Sequence, residues 1–495
     1  MTVPTGTPAP RCAVVDLGSN SVRLVVFEGR GRNPVAIFNE KAVLRLGRGL
    51  ASTGRLNEAG VAQGLRVMSR YNAIARAMGA DPFEVLATAA VRDATNGPDF
   101  VAALHARMPG VPIRVLSGEG EAALSSAGVL CGLPEADGIL ADIGGGSLEV
   151  VRVGTGAVLK SASLGLGVIR LSDRAEGDLA RARVLAEADL QSVPWLRDGA
   201  GRDLYVVGGA WRALARIQMY RAGYPLHIVH GYTITGDAGR DLAALMLSSQ
   251  RKALEKLPGA PRRRVEDLPF AATVLRRLLR QTGAQRIVFS ANGIREGWFM
   301  QQVPPEVRVL DPVLALGHDT AARYARDTRL PPALLAWTAP LFPDETRREA
   351  RLREAACWMS DLGAGDHPDY RAEQAFLRVL RQPGVALDHG SRAFLALTLA
   401  LRYEADSDAP FLAPARMLLD MAEAARAERL GTALRLAYTL SAGTPELLAG
   451  AYLRVLPGRL ALRLAEGSGV FAGEGIQRRL DRLAQAMGLV ADAAA

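Results

Sequence analysis

Cysteine is scarce in this sequence of 495 residues, and Cys12, Cys131 and Cys357 are its only three copies. An odd number of cysteines this far apart excludes a disulfide framework and offers no zinc-binding spacing. We therefore expect three small buried thiols in a protein of the reducing cytoplasm.

Long apolar runs are missing as well. Charged residues interrupt the apolar stretches well before the ~20 residues that a membrane-spanning helix needs. The first ten residues are rich in Thr and Pro and have no apolar centre. They are expected to form a loose tail rather than a secretory signal, and no membrane partner is predicted.

Lysine and aromatic residues are rare too. Only four of the 60 basic residues are lysines, and an excess of arginine suits bidentate contacts to phosphate, although a codon bias gives the same ratio. The net charge of +9 favours a polyanionic partner, either a nucleic acid or another phosphate polymer. Aromatic residues seldom lie among the arginine clusters, which disfavours a stacking platform for single-stranded nucleic acid.

An internal repeat is the strongest positive signal in the chain. Residues 14–27 align without a gap with residues 140–153. Each segment is an apolar strand that ends in an aspartate, Asp16 or Asp142, followed by a turn of small residues and a second apolar strand. The pattern predicts two β-hairpins of the same design, and the duplication predicts two similar lobes that face each other.

The turns of these hairpins predict a phosphate-binding cleft. Glycine permits positive φ and close approach, so successive backbone N–H groups can point into one concavity and hold phosphate oxygens. A carboxylate at the end of the preceding strand repels a phosphate unless a cation lies between them, so Mg²⁺ is expected there. Two plain hairpins are the alternative interpretation, which the matched copies disfavour.

The remaining pattern up to about residue 300 alternates strands with helices, as in an α/β fold. Strands are predicted at 83–87, 113–116, 204–207 and 287–290. Helices are predicted at 57–78, 346–360, 394–403 and 477–487, and a short strand at 459–464. From about residue 311 helices with short loops dominate.

Two kinds of charged side chain stand at predicted strand–helix joints. Arg92 lies near the carboxyl end of a strand, where ligands bind in open α/β sheets, although a surface ion pair explains it equally well. Glu119 and Glu121 lie in the first turn of a helix. Either both carboxylates simply interact favourably with the helix dipole, or one of them faces the cleft and orients a water molecule.

Five motifs, in combination and in this order, resemble the exopolyphosphatase and guanosine pentaphosphate phosphohydrolase family. They are DLGSNS at 16–21, ATAAVR at 87–92, SGEGEA at 117–122, DIGGGSLE at 142–149, and LGLG at 164–167 followed by Arg170 and Leu171. The resemblance is strong over 12–297. It implies an α/β fold of two actin-like (ribonuclease H-like) lobes with a cleft between them, followed by a helical HD-like domain and a small C-terminal domain.

The resemblance also implies domain boundaries. The lobes are expected at 11–125 and 126–310, the HD-like domain at 311–450 and the small domain at 451–495. Where the family's metal-binding pair is His-Asp, this chain has Ser360 and Asp361. The third domain is therefore expected to lack metal ligands, and to guide a polyanion or build a dimer.

Roles for individual residues follow from the same resemblance. Glu121 is implied as the general base, and Asp142 and Glu149 as the Mg²⁺ site. The implied phosphate contacts are Asn20, Arg92, Gly144, Gly145, Gly146 and Ser147.

These observations predict a cytoplasmic, homodimeric exopolyphosphatase that needs Mg²⁺ and releases orthophosphate from the end of inorganic polyphosphate. A guanosine pentaphosphate (pppGpp) 5′-phosphohydrolase with the same site is the close alternative, so the predicted partner is polyphosphate or a nucleotide of the (p)ppGpp type. An ATP-binding kinase-like or regulatory module is the remoter alternative. The net charge favours the long polyanion, and no nucleic-acid partner is predicted.

Overall fold

The computed structural model describes residues 9–383, 386–465, 467 and 473–493. The tail predicted at 1–10 therefore lies, up to residue 8, outside the described residues. The chain divides into two compact units, Met1–Val309 and Leu310–Ala495. None of the described helices has both the length and the apolar composition needed to cross a membrane.

Two sheets with the same strand order form the first unit. The strands of the first sheet are β1 (Arg11–Leu17), β2 (Ser21–Glu28), β3 (Val35–Val43), β4 (Ala80–Ala87) and β5 (Ile113–Val115). Those of the second are β6 (Gly138–Ile143), β7 (Leu148–Gly154), β8 (Ala157–Leu164), β9 (Asp203–Val207), β10 (Tyr232–Thr235) and β11 (Arg286–Phe289). The first sheet has the strand order β3-β2-β1-β4-β5. The second, read in the corresponding direction, has the order β8-β7-β6-β9-β11-β10. Apart from β10, the second sheet thus repeats the first strand for strand.

The two predicted hairpins are confirmed as antiparallel pairs at equivalent places in the two sheets. In β1–β2, Asp16 lies opposite Arg23, and in β6–β7, Asp142 lies opposite Glu149. Both turns close with the same hydrogen bond, from the first glycine N–H to a serine carbonyl, at 3.1 Å in one and 3.0 Å in the other. The sequence repeat is therefore also a structural repeat.

Helices cover both faces of each sheet. In β1, Ala13 and Val15 belong to one buried cluster, whereas Cys12 and Val14 belong to another on the opposite face, and β6 alternates in the same way. The helices are α1 (Leu50–Thr53), α2 (Glu58–Ala77), α3 (Ala89–Asp93), α4 (Gly97–Arg107), α5 (Gly118–Gly132), α6 (Val168–Arg174), α7 (Leu179–Gln191), α8 (Gly209–Arg221), α9 (Gly236–Ser248), α10 (Arg251–Lys256), α11 (Leu268–Thr282), α12 (Ile294–Gln302) and α13 (Pro305–Arg308). Strands buried on both faces explain the near-continuous apolar runs in the sequence.

Helices α5 and α12 cross backbone to backbone. A Cβ atom added at Gly128 would lie 1.9 Å from the carbonyl oxygen of Gly293, and one added at Gly297 would lie 1.8 Å from that of Leu124. Both distances are far below van der Waals contact, so this crossing requires glycine. The pair packs on the first sheet, while α12 directly follows the last parallel strand of the second sheet.

The second unit is helical with one small sheet. Its helices are α14 (Pro312–Tyr324), α15 (Leu330–Thr338), α16 (Arg347–Met359), α17 (Arg371–Leu380), α18 (His389–Arg402), α19 (Ala413–Arg416), α20 (Met421–Ser441), α21 (Pro445–Leu448) and α22 (Glu474–Ala486). Its strands are β12 (Ala451–Leu456), β13 (Arg459–Leu464) and β14 (Val490–Ala493), in the order β12-β13-β14. Asp361, which follows α16, is buried and forms an ion pair with Arg326 at 2.9 Å.

Two expectations about organisation meet the structure differently. The three cysteines are buried and free, as predicted. The expected boundary between the lobes, at 125/126, falls inside α5. The division into four domains stays a prediction.

Candidate active site

A cleft runs between the turns of the two hairpins. The space in it that can hold water-sized molecules is about 150 Å³. Eight of the nine residues that the sequence analysis assigned to the site line this cleft, namely Asn20, Glu121, Asp142, Gly144, Gly145, Gly146, Ser147 and Glu149. Arg92 does not line it, but its Nη1 lies 2.5 Å from Oε1 of Glu121.

The two turns approach each other so closely that the side chain of Ser19 fills the space beside Gly145 and Gly146. A Cβ atom at Gly146 would lie 2.7 Å from Oγ of Ser19 in the opposite turn. One at Gly145 would lie 3.0 Å from Cβ of Ser19 and 3.4 Å from the backbone nitrogen of Asn20. Glycine is needed here because the facing turn occupies the space, and this close approach brings backbone N–H groups of both hairpins to one cleft.

The second turn rests on the start of α6. The backbone N–H of Val168 donates to the carbonyl oxygen of Gly144 at 3.1 Å, and that of Ile169 donates to Gly145 at 3.0 Å. A Cβ atom at Gly167 would lie 2.4 Å from backbone atoms of Gly146 and Ser147. The LGLG motif at 164–167 therefore packs against the glycine turn and supports its backbone.

An acidic group, consisting of Asp16, Glu121, Asp142 and Glu149, lines the cleft. Asp142 and Glu149 are cross-strand partners, so the hairpin itself places both carboxylates on one face of the sheet. Burial raises the pKa of all four carboxyls. The charges of Glu121 and Asp142 raise the pKa of Glu149 further.

Glu121 is held by a neighbouring cation. Its side chain is 4% exposed, and burial raises its pKa to about 7 although the ion pair with Arg92 acts in the opposite direction. Arg92 also donates to the carbonyl oxygen of Leu116 at 3.0 Å and to Asp93 at 3.0 Å. A buried carboxyl with a pKa near neutrality is typical of a general base.

Two serines orient the other carboxylates. Ser125, on the same helix as Glu121, donates to Oδ2 of Asp142 at 2.5 Å. Ser163, on β8, donates to Oε1 of Glu149 at 2.9 Å. Three members of the acidic group, Glu121, Asp142 and Glu149, are therefore held in place by hydrogen bonds.

A basic group lines the same cleft and consists of Arg23, Lys41, Arg212, Arg264 and Arg295. None of these residues was assigned to the site from the sequence. Burial, together with the neighbouring arginines, lowers the pKa of Lys41 to about 8 and that of Arg212 to about 10. Arg295 lies 3.8 Å from Asp16, where the acidic and basic groups meet. Mutual repulsion among these cations favours a bound anion.

The sequence repeat contained a signal for one of these residues. Arg23 and Glu149 occupy the same position in the two aligned segments, and each lies opposite its aspartate in the hairpin. The other members come from helices or strands that no motif marked.

Two family models match the chain. The model of the Ppx/GppA phosphatase family matches residues 25–306, which is more than half of the chain. The chain belongs to the Ppx/GppA phosphatase family. The model described as exopolyphosphatase, C-terminal, matches residues 319–493. The resemblance inferred from the five motifs is confirmed, and the family is one of enzymes.

Two relatives show how far the sequence similarity extends. Exopolyphosphatase 2 of Mycobacterium tuberculosis is 27% identical over an alignment of 312 residues that covers 58% of this chain and 97% of that protein. Retrograde regulation protein 2 of Saccharomyces cerevisiae is 24% identical over an alignment of 435 residues that covers 79% of this chain and 72% of that protein. The alignment thus covers most of each relative.

Solved structures agree on the fold. An exopolyphosphatase from Cytophaga hutchinsonii matches with a TM-score of 0.54 at 21% identity, over 59% of this chain and 99% of that one. The Ppx/GppA family member of Aquifex aeolicus matches with a TM-score of 0.52 at 23% identity, over 60% and 98%. The predicted fold class, two actin-like α/β lobes followed by a further C-terminal part, is confirmed.

Proposed function

We propose that this chain is an exopolyphosphatase that hydrolyses the terminal phosphoanhydride of inorganic polyphosphate and releases orthophosphate. The observation that carries the proposal is one cleft, lined by two matched glycine turns, in which four carboxylates face five basic side chains. Family membership supports phosphatase chemistry, and exopolyphosphatases are among the relatives.

The glycine turns would hold the terminal phosphoryl group. Backbone N–H groups of Gly145 and Gly146 supply donors from one side, and Asn20 supplies them from the other. The N–H of Gly144 closes the turn itself, and the side chain of Ser147 is hydrogen-bonded to Glu149, so these two residues shape the turn. Arg92 uses its Nε and Nη1 for Asp93, Leu116 and Glu121, and its Nη2 makes no hydrogen bond within the described residues. We assign this Nη2 to a phosphate oxygen of the substrate.

Glu121 would act on the attacking water. Its carboxylate accepts a proton from the water while the water oxygen forms the new bond to phosphorus. The bridging oxygen then leaves with the shortened chain. Arg92 keeps enough of Glu121 ionised near neutral pH for this step, because its charge opposes the effect of burial.

The residues present fit a divalent cation. Asp142 and Glu149 lie opposite each other, burial raises the pKa of both, and the charge of Asp142 raises the pKa of Glu149 further. Within the described residues no three acidic, histidine or cysteine side chains converge to enclose an ion. Mg²⁺ suits such an open site because it usually binds one or two carboxylates and keeps waters or phosphate oxygens. When bound, it would neutralise charge on the phosphoryl oxygens.

The cleft favours a phosphate polymer over a nucleotide. Nucleotide and drug-sized ligand pockets are mostly apolar and aromatic. Among the described residues that line this cleft there is no Phe, Tyr or Trp, while the basic group supplies five cations. Successive phosphates of a chain would lie along the basic group once the terminal one is in the turns.

Phosphate release from three substrates side by side tests the proposal. Long polyphosphate, guanosine pentaphosphate and ATP are offered at equal concentration with Mg²⁺. We expect polyphosphate to give the highest kcat/KM. A higher value for guanosine pentaphosphate would assign the site to the nucleotide, and release from ATP alone would contradict hydrolysis of either.

A matched pair of variants tests the role of the base. Glu121→Gln should lower kcat by at least ~10²-fold, the usual contribution of a general base, with little change in substrate affinity. Glu119→Gln is the control, because Glu119 is an exposed glutamate two positions earlier on the same helix. Near-normal turnover of Glu121→Gln would disprove the assignment.

Location and assembly complete the proposal. The buried, free state of Cys12, Cys131 and Cys357 supports a reducing compartment, and we propose the cytoplasm. The homodimer stays part of the proposal, and light scattering of the full chain at several concentrations would test it.

A further inference from the structure

The second unit contains a pocket built almost entirely from arginine and tyrosine. Its volume available to water-sized molecules is about 210 Å³. It is lined by Arg326, Ala364, Arg371, Arg402, Tyr403, Arg435, Tyr438 and Ala442. We propose that this arginine pocket binds a small phosphate-type oxyanion, at a site separate from the cleft of the first unit.

Arg402 is the residue that most needs a ligand. It is the last residue of α18 and is 3% exposed, yet its side chain makes no hydrogen bond within the described residues. Its Nε is a buried donor without a partner. Its nearest acid, Asp361, lies at 3.7 Å, beyond hydrogen-bond distance. Buried charges in proteins are normally paired and hydrogen-bonded, but this guanidinium has only the long ion pair with Asp361 and no hydrogen bond within the described residues.

The acids nearby are already engaged. Asp361 accepts from Nη2 of Arg326 at 2.9 Å and from the backbone N–H of Arg326 at 3.2 Å. Glu404 forms an ion pair with Arg435 at 2.5 Å and a second one with Arg479. Two carboxylates therefore serve more guanidinium groups than they can neutralise.

Arg371 adds a further cation without an acid partner. No carboxylate in the described part of the chain forms an ion pair with it, and its Nε is buried without a hydrogen-bond partner, as is that of Arg435. Three guanidinium groups around the pocket, those of Arg371, Arg402 and Arg435, thus each have a buried Nε donor without a partner in the described residues. Guanidinium groups match the oxygen spacing of phosphate, which makes a tetrahedral oxyanion the fitting ligand.

The aromatic rings of the pocket argue against a nucleotide base. The guanidinium of Arg402 lies 3.6 Å from the ring centre of Tyr438 and 4.3 Å from that of Tyr403. Arg371 lies 5.5 Å from the ring centre of Tyr403. The cations cover these ring faces, so the ligand is a small inorganic group, either free orthophosphate or the end of a polyphosphate chain.

Hydrogen exchange of the full chain with orthophosphate tests the proposal. A chelator is present to prevent turnover, and potassium chloride at equal ionic strength is the reference. We expect saturable slowing of amide exchange at the end of α18 and in the last turns of α20. A second titration with tripolyphosphate separates the two sources of the group, since slowing by tripolyphosphate alone would assign the pocket to a chain end.

Variants decide whether the arginines are responsible. Arg371→Gln should lower the affinity for the anion at least ~tenfold, as expected for loss of a charge-assisted contact. This substitution leaves no carboxylate unpaired. Arg402→Gln should have a larger effect, and if it fails to fold, Arg371→Gln still decides. Arg459→Gln, an exposed arginine on β13, should change nothing. No slowing with either anion, or equal slowing in Arg371→Gln, would overturn the proposal.

Discussion

Removing the charge of Arg92 should shift the pH dependence of turnover. Nη1 of Arg92 lies 2.5 Å from Oε1 of Glu121, whose pKa burial raises to about 7 against the effect of that cation. A general base must be ionised, so turnover falls as the pH drops below its pKa. Arg92→Gln removes the cation, and the pKa of Glu121 should therefore rise further.

The size of the shift follows from the geometry. Two unit charges about 4 Å apart interact by about 4 kcal/mol at an effective dielectric constant of about 20. The side chain of Arg92 is 25% exposed and is shared with Asp93, which weakens its effect on Glu121. Discounted to between about a third and a half, the interaction corresponds to roughly 1 to 1.5 pKa units. The acidic limb of the pH–rate profile should therefore move from near pH 7 to about pH 8–8.5.

Initial rates of orthophosphate release from a short polyphosphate, measured from about pH 5 to about pH 10 at saturating Mg²⁺, would show this shift. A divalent cation near Glu121 lowers its pKa in both proteins. The informative quantity is therefore the difference in pH between the acidic limbs of the parent and Arg92→Gln profiles. Arg92→Lys keeps the charge and should leave the limb almost in place.

One result would refute the reasoning. If Arg92→Gln lowered kcat/KM equally at every pH and left the limb where it is in the parent protein, Arg92 would act on the phosphate only. The ion pair with Glu121 would then have no role in setting the protonation state of the base.

Three other measurements extend the test of the site. Asp142→Asn and Glu149→Gln should each raise the Mg²⁺ concentration for half-maximal activity at least ~tenfold, whereas activity without any metal would contradict the site. Gly167→Ala places a Cβ atom 2.4 Å from the glycine turn, so the free energy of unfolding should fall by about 1–3 kcal/mol. Thermal unfolding measures this loss, and an unchanged midpoint would contradict the close packing of the LGLG motif on the turn. The KM for long polyphosphate should rise more steeply with salt than that for a short chain, because a long polyanion displaces more counterions; equal slopes would favour the nucleotide.

The repeat explains why so much of the cleft could be predicted from the sequence. An aspartate at a strand end followed by a glycine turn fixes where the carboxylate and the backbone donors lie, because a hairpin has one register. The repeat predicts the carboxylate of Asp142 in this way, whereas Glu149 and the role of both residues in a Mg²⁺ site were implied by the family resemblance of the motif at 142–149. The helix predicted at 57–78 is confirmed as α2, and the strand at 459–464 as β13.

The basic group could not be predicted in the same way. Lys41 lies on β3, Arg212 on α8 and Arg295 on α12, so their proximity depends on the tertiary fold alone. Strand β3 was itself missed, because it is an outer strand with little buried surface and so lacks a clear apolar pattern. The ion pair of Arg92 with Glu121 joins residues 29 positions apart, a separation that no local spacing reveals.

The glycine crossing of α5 and α12 has a mechanical consequence. Helix α5 bears Glu121 and Ser125, and α12 bears Arg295. Helices in backbone contact have no side chains between them that could change rotamer and let one slide past the other. The two helices are therefore expected to move together, so that an opening of the cleft carries the proton acceptor and the arginine in the same direction.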